Sequence, residues 1–247
     1  SPVAAWAQRR GIETLRPVKA SDPALLERVR ELAPDACPVV AYGGLLTQAL
    51  LDVPRLGWVN LHFSLLPRWR GAAPAQRTLI AGDAVAGATT FRIVRALDAG
   101  PVYRTLEYPL AGTETAGELL DALARAGARL LADTVGDLGR GVAPVPQPEE
   151  GVTLAPKLTV VEARLDWARP ADELDRLIRG CSPEPMAWTT LGGVRLGVAL
   201  ARPTAEAEFG EVVAQLGERL FLQEAGQVPG AVAHHLGLAD ADEQGVE

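Results

Sequence analysis

The sequence predicts an α/β fold, because short strand-like apolar runs alternate with segments of helical periodicity. Its 247 residues are 48% hydrophobic and 22% charged, a globular composition that can bury one large core or two smaller ones. No apolar run approaches the roughly 18–20 residues of a membrane helix. We therefore expect layered helices and strands and no membrane partner.

The first predicted helix is followed by four predicted strands. The helix carries apolar residues at helical spacing and is ended by a proline; these residues are Leu25, Leu26, Val29, Leu32 and Pro34. The strands are residues 36–42, 57–62, 88–94 and 102–108. We read the first strand as buried, because it is an unbroken apolar run. A helix at residues 74–81 separates the second strand from the third.

The second half of the chain begins with Thr115 and Glu118, whose spacing predicts a capping box at the start of a long helix. Residues 141–156 contain four prolines and predict an extended linker, with a surface loop as the alternative. A further helix is predicted around residues 174–178. The Gly192-Gly193 pair then predicts a hairpin between two strands.

The overall charge limits the classes of partner. With 24 basic and 31 acidic residues the net charge is −7, which argues against a surface that coats nucleic acid non-specifically. Two cysteines are too few for a disulfide scaffold and suit a reducing, cytoplasmic compartment. His234 and His235 have no carboxylate or cysteine at ligand spacing, so we expect no metal site.

The densest chemistry lies at the end of the second predicted strand. Asn60 and His62 are two residues apart, and side chains alternate across a strand, so both should point to one face. Ligands of open α/β sheets usually bind at the carboxyl ends of strands. Pro67 forces Leu66 into extended backbone, and we expect free backbone groups there to meet a planar, hydrogen-bonding ligand.

Asp98 follows the third predicted strand and is expected to reach the same cleft. An asparagine, a histidine and a carboxylate together indicate acyl-type transfer to an amine. The Asn60 amide and a ring N–H of His62 would stabilise the oxyanion. Asp98 would orient His62, favour its protonated form and accept the amine proton.

Each of these residues also has a structural interpretation. His62 is equally compatible with a satisfied core histidine, Asn60 with a backbone partner, and Asp98 with a turn. Residues 68–70, Arg-Trp-Arg, would clamp phosphate or stack on RNA, but a solvated loop anchored by its tryptophan is favoured. A hydrolase triad with Ser64 is disfavoured, because no Gly-x-Ser-x-Gly elbow is present.

Two segments resemble the folate-dependent formyltransferases. They are residues 60–74, which read Asn-Leu-His-Phe-Ser-Leu-Leu-Pro-Arg-Trp-Arg-Gly-Ala-Ala-Pro, and residues 97–101, Leu-Asp-Ala-Gly-Pro. Residues 40–43, 166–167 and 183–189 support the resemblance, which runs to about residue 200. The Arg-Trp-Arg-Gly-Ala-Ala-Pro run is narrower and points to the branch whose acceptor is a tRNA.

The resemblance implies a Rossmann-like catalytic domain with a predominantly parallel sheet, over residues 1–143. A proline-rich linker would follow at 144–157, then a small OB-like, tRNA-binding β-barrel at 158–232 and an acidic tail at 233–247. The family begins with a strand, a helix and a second strand that have no counterpart here. We therefore expect the first strands to be missing and the barrel to be incomplete.

The resemblance also implies the reaction and its site. The donor would be 10-formyltetrahydrofolate, with no metal, and the acceptor would be the methionine amino group on initiator tRNA. Asn60, His62 and Asp98 would be catalytic, and Ser64, Leu65, Leu66 and Pro67 would line the folate site; the protein would act as a monomer. The alternatives are a related formyltransferase for another amine, such as an amino-sugar nucleotide, a hydrolase of the formyl donor, or an inactive truncated homologue.

Overall fold

Strands and helices alternate in the computed structural model, which describes residues 2–203 and 212–213. The helices are α1 (Pro2–Arg9), α2 (Pro23–Leu32), α3 (Gln48–Leu51), α4 (Pro74–Ala81), α5 (Ala116–Gly139) and α6 (Ala171–Cys181). The strands are β1 (Cys37–Val40), β2 (Trp58–His62), β3 (Val85–Arg92), β4 (Val102–Pro109), β5 (Ala187–Leu191), β6 (Val194–Val198), β7 (Arg202–Pro203) and β8 (Val212–Val213). The predicted α/β class is confirmed.

The main sheet has the order β1-β2-β3-β4 and is mixed. The predicted parallel arrangement holds for β1 and β2, whereas β2–β3 and β3–β4 pair antiparallel. A short connection without a helix joins β3 to β4, and such connections join antiparallel strands. Helix α4 packs against α6 instead of crossing back over the sheet to make β3 parallel to β2.

Strand β1 is half-exposed, so the prediction that it is buried is wrong. It lies at the edge of the sheet, and its burial alternates along its four residues. Val40 is 50% exposed, and Tyr42, just beyond the strand, is 49% exposed. An apolar run alone does not distinguish a central strand from an edge strand.

The buried core lies between the sheet and α5. The predicted capping box is present: Thr115 Oγ1 accepts from the N–H of Glu118, and the Glu118 carboxylate accepts from the N–H of Thr115. This cap starts a helix whose Leu119 and Leu123 are fully buried. The helix lies so close to β2 that a Cβ on Gly127 would be 2.8 Å from a methyl group of Leu61. The core therefore fixes the end of β2.

Residues 141–156, which we call the proline-rich segment, lie against the sheet domain. Val145 forms an antiparallel bridge with Val102 at the start of β4, and Leu154 forms a parallel bridge with Arg70. This packing matches the surface-loop alternative better than an extended linker. The domain boundaries inferred from the sequence stay a prediction.

The C-terminal part contains α6 and the predicted hairpin β5–β6, turned at Gly192 and Gly193, whose φ angles are 56° and 83°. Strands β7 and β8 form a second two-stranded sheet, so the strands described do not close a barrel. The rest of the expected barrel, the acidic tail at 233–247 and His234 and His235 lie outside the described residues. Within 2–203, no helix is both long and apolar enough to cross a membrane.

Candidate active site

Strand β2 brings Asn60 and His62 to one face of the sheet. In the register with β3, Asn60 lies opposite Phe91 and His62 opposite Thr89, two positions apart on each strand. His62 is 6% exposed, whereas Asn60 is partly exposed. Among the described residues, the Asn60 side chain has no hydrogen-bond partner, so its amide is available to a ligand.

The ring of His62 is held by one hydrogen bond and faces one carboxylate. Nε2 lies 2.8 Å from the carbonyl oxygen of Trp69, and because a carbonyl only accepts, Nε2 carries the hydrogen. Nδ1 lies 3.9 Å from Oδ2 of Asp98, too far for a direct hydrogen bond. In the neutral ring, Nδ1 is therefore an acceptor. The sequence predicts that a ring N–H of His62 stabilises the oxyanion. The N–H at Nε2 is not available for that role, because it already donates to the carbonyl of Trp69.

Asp98 lies in the loop after β3, and the structure brings it to His62 as the sequence predicts. Its side chain is 16% exposed. Oδ2 accepts a 2.8 Å hydrogen bond from the backbone N–H of Gly71. The residue has φ +44°, in the left-handed region that a non-glycine residue rarely adopts. Asp98 therefore depends on its neighbours to keep its carboxylate at the imidazole.

Burial lowers the pKa of His62 below its usual 6.5, because the charged ring loses its hydration. The negative charge of Asp98 and the hydrogen bond to Trp69 act in the opposite direction but do not reverse the shift. The imidazole is accordingly neutral around pH 7, and Asp98 favours its protonated form, as predicted, without outweighing the effect of burial.

This depressed pKa predicts a pH-dependent stability. Between the lowered pKa and 6.5, the unfolded chain binds a proton at His62 that the folded chain does not, so the free energy of unfolding should rise with pH across that window. Urea unfolding over this range should show a shallower rise for His62→Gln than for the unsubstituted protein. Equal slopes in the two proteins would contradict the assignment.

The turn after β2 satisfies several of its own polar groups, which corrects the expectation of free backbone there. Ser64 Oγ donates to the carbonyl of Arg68 at 2.6 Å, and the N–H of Leu66 donates to Thr89 Oγ1 at 3.2 Å. The N–H of Arg68 donates to the carbonyl of Leu65. Ser64 and Leu66 are buried, so of the four residues assigned to folate, Leu65 and Pro67 keep partly exposed surface.

Residues 68–70 form the anchored loop that the sequence favours. Arg68 pairs with Asp83 at 2.6 Å and lies 4.4 Å over the ring of Trp69. The Trp69 indole N–H also donates to Asp83, at 2.8 Å. Arg70 donates to Gln147. Both arginines are thus occupied within the protein, which disfavours the phosphate clamp.

The proline-rich segment supplies contacts to the site that the sequence did not reveal. Thr153 Oγ1 accepts from the N–H of Trp69 at 2.9 Å, and its carbonyl accepts from the N–H of Arg70 at 2.9 Å. The N–H of Ala155 donates to the carbonyl of Arg70. These bonds support Trp69 at φ +64°, where its carbonyl meets His62. No local motif marks Thr153, since its partner lies 84 residues away.

Family models match both parts of the chain. Residues 1–135 match the model described as formyl transferase, and residues 157–230 match formyl transferase, C-terminal domain. The chain is 58% identical over 204 residues to the methionyl-tRNA formyltransferase of Streptomyces coelicolor and 55% identical over 208 residues to that of Thermobifida fusca. These alignments cover 82% and 84% of the chain, but 66% and 67% of the relatives, so the chain spans about two thirds of their length.

Solved structures share the fold at lower identity. The methionyl-tRNA formyltransferase from Clostridium thermocellum has a TM-score of 0.63 at 17% identity, covering 83% of this chain and 88% of that one. HypX from Aquifex aeolicus in complex with tetrahydrofolic acid has a TM-score of 0.65 at 19% identity, covering 76% and 34%. The predicted fold class is confirmed by these likenesses.

Proposed function

Because the chain belongs to the formyl transferase family, we propose that it transfers a formyl group from 10-formyltetrahydrofolate to the amino group of the methionine on initiator tRNA. The close approach of His62 and Asp98, with the amide of Asn60 on the same face of β2, supports this proposal most strongly. Relatives at 53–58% identity that are named methionyl-tRNA formyltransferase support the choice of acceptor. We further propose that the protein acts in the cytoplasm as a monomer.

The chemistry of the transfer matches these three side chains. As the amine nitrogen bonds to the formyl carbon, negative charge develops on the formyl oxygen, and the Asn60 amide donates to it. The nitrogen must also lose a proton, which the His62–Asp98 pair accepts on the side of Nδ1. When the bond from the formyl carbon to N10 of the folate breaks, the His62–Asp98 pair passes that proton to N10. The two bond changes and the proton then balance.

The hydrogen bond from Nε2 of His62 to the carbonyl of Trp69 contributes to this mechanism, because it fixes the tautomer of the imidazole. With the hydrogen on Nε2, the neutral ring presents a lone pair at Nδ1, facing Asp98. A proton taken at Nδ1 gives an imidazolium that the Asp98 carboxylate stabilises. His62 can then donate from Nδ1 to the oxyanion, which keeps the role inferred from the sequence and assigns it to Nδ1.

We propose that the folate lies against Ser64, Leu65, Leu66 and Pro67. The partly exposed apolar surfaces of Leu65 and Pro67 suit a flat ring, and they lie next to the strand end that carries His62. Buried Ser64 and Leu66 would act through the shape of the turn, whose bonds to Thr89 and Arg68 hold it rigid. Rigid support of this kind positions a donor for attack.

The test is transfer of labelled formyl from 10-formyltetrahydrofolate to charged initiator tRNA. Asn60→Ala should lower kcat by about 10²- to 10³-fold, the usual loss for one oxyanion donor. Gln48→Ala is the matched control, since Gln48 is a surface amide bonded to Asp52. Full activity in Asn60→Ala would contradict the role of the amide. Transfer to an amino-sugar nucleotide but not to tRNA would overturn the proposed acceptor.

A further inference from the structure

Gln147 lies between two prolines of the proline-rich segment, and its side-chain amide is fully bonded. Nε2 donates to the carbonyls of Asp98 at 2.8 Å and Gly100 at 2.7 Å. Oε1 accepts from Nε of Arg70 at 3.1 Å and from Nη2 at 2.6 Å. An amide has two N–H donors and two acceptor lone pairs, so these bonds use its whole capacity. They also fix its orientation, because carbonyls only accept and arginine only donates.

The two loops that Gln147 joins supply both groups that face the nitrogens of His62. One loop contains Arg70, and the residue before it, Trp69, accepts from Nε2 of His62. The other loop contains Asp98, whose Oδ2 faces Nδ1 at 3.9 Å. A substitution at Gln147 would therefore affect the positions of the groups at both ring nitrogens, although Gln147 makes no hydrogen bond to His62.

The Asp98 loop needs such support. Asp98 has φ +44°, and a non-glycine residue persists in this region only when its surroundings hold it there. Its carbonyl is held by Gln147 and its carboxylate by the N–H of Gly71, which belongs to the same loop as Arg70. Gln147 joins the two loops with four bonds, because Nε2 donates two to the Asp98 loop and Oε1 accepts two from Arg70.

We propose that Gln147 is a positioning residue of the active site, whose amide holds the Asp98 loop against the Trp69–Gly71 loop and so sets the distance between Asp98 and His62. The consequence for catalysis rests on the proposed function, whereas the consequence for the Asp98–His62 pair does not. The proline-rich segment is thus part of the active-site framework.

The first test is a double-mutant cycle read from the pKa of His62 by NMR. The chain has three histidines, and His62→Gln assigns the signal. Within the described residues, Asp98 is the charged group that acts on this ring, and it raises the pKa of His62. Asp98→Asn should therefore lower that pKa in the otherwise unsubstituted protein. In a Gln147→Ala background the same substitution should have a much smaller effect. Equal shifts in the two backgrounds would overturn the proposal.

The second test separates kcat from KM. Gln147→Ala should lower kcat by up to about 100-fold, the scale of a misplaced reacting group, with little change in KM for the tRNA. Gln147→Glu keeps an acceptor for Arg70 but loses both donors, so its kcat should fall as far. Arg70→Ala spares those donors and should cost less. A Gln147→Glu protein with unchanged kcat would refute the positioning role.

Controls separate this inference from folding and from the proposed function. Thermal unfolding shows whether each variant is folded, and Gln48→Ala reports the cost of losing a surface amide. If the unsubstituted protein formylates no methionyl-tRNA, the proposed function fails. The NMR cycle needs no substrate and still decides whether Gln147 holds Asp98 at His62.

Discussion

Replacing Asp98 with asparagine should lower kcat for formyl transfer by about 10²- to 10⁴-fold, the range for loss of a general acid–base group. The substitution keeps the shape of the side chain and leaves it one oxygen, which can accept the hydrogen bond from the N–H of Gly71. It removes the negative charge that faces Nδ1 of His62. Without that charge the imidazolium that forms when Nδ1 takes the amine proton is not stabilised, so His62 becomes a weaker acceptor for that proton.

The measurement is a single-turnover assay, which follows the chemical step and not product release. Asp121→Asn provides the matched control, because Asp121 is a surface residue of α5, 78% exposed, with Arg125 at 3.5 Å. It should retain full activity. An Asp98→Asn protein as active as this control would rule out a catalytic carboxylate at position 98.

Replacing Gly100 with alanine should destabilise the fold by about 3 kcal/mol, at the upper end for overpacking. A Cβ at this buried position would lie 1.7 Å from the carbonyl oxygen of Arg92 at the end of β3. That oxygen belongs to the backbone, so no flexible side chain can move aside. The Gly100 carbonyl also accepts from Gln147, so displacement of this loop should lower kcat as well.

Urea unfolding gives this change in free energy, provided that the dependence on denaturant stays the same. Gly43→Ala is a suitable control, since a Cβ on Gly43 would have no atom within 4 Å. It should leave stability nearly unchanged. If Gly100→Ala had the same free energy of unfolding as Gly43→Ala, the inference that the Asp98 loop packs closely on β3 would be contradicted.

Local patterns in the sequence were sufficient for most helices and strands and for part of the site. The Thr115–Glu118 spacing fixes the start of α5, because both partners lie within one turn of helix. The spacing of Asn60 and His62 places them on one face of β2, because side chains alternate along any strand. Their proximity to Asp98 was predicted for the wrong reason, because the carboxyl ends of the antiparallel strands β2 and β3 lie at opposite ends of the pair, and it is the loop after β3 that brings Asp98 to His62.

Contacts between residues far apart in the sequence could not be predicted from local patterns. Alternating strands and helices do not specify strand direction, so the antiparallel β2–β3 pair was unexpected. The bond from His62 to the Trp69 carbonyl depends on backbone at φ +64°, which tryptophan rarely adopts. Gln147 stands in a run of prolines that reads as a linker, yet it bonds with residues 47, 49 and 77 positions away.

A crystal structure of the protein with a bound formyl donor would test the account most directly. The formyl carbon should lie between the Asn60 amide, Nδ1 of His62 and the Asp98 carboxylate, with its oxygen within about 3 Å of the amide nitrogen. A formyl group bound away from these three side chains, or one approached only from the Nε2 side that Trp69 occupies, would contradict it.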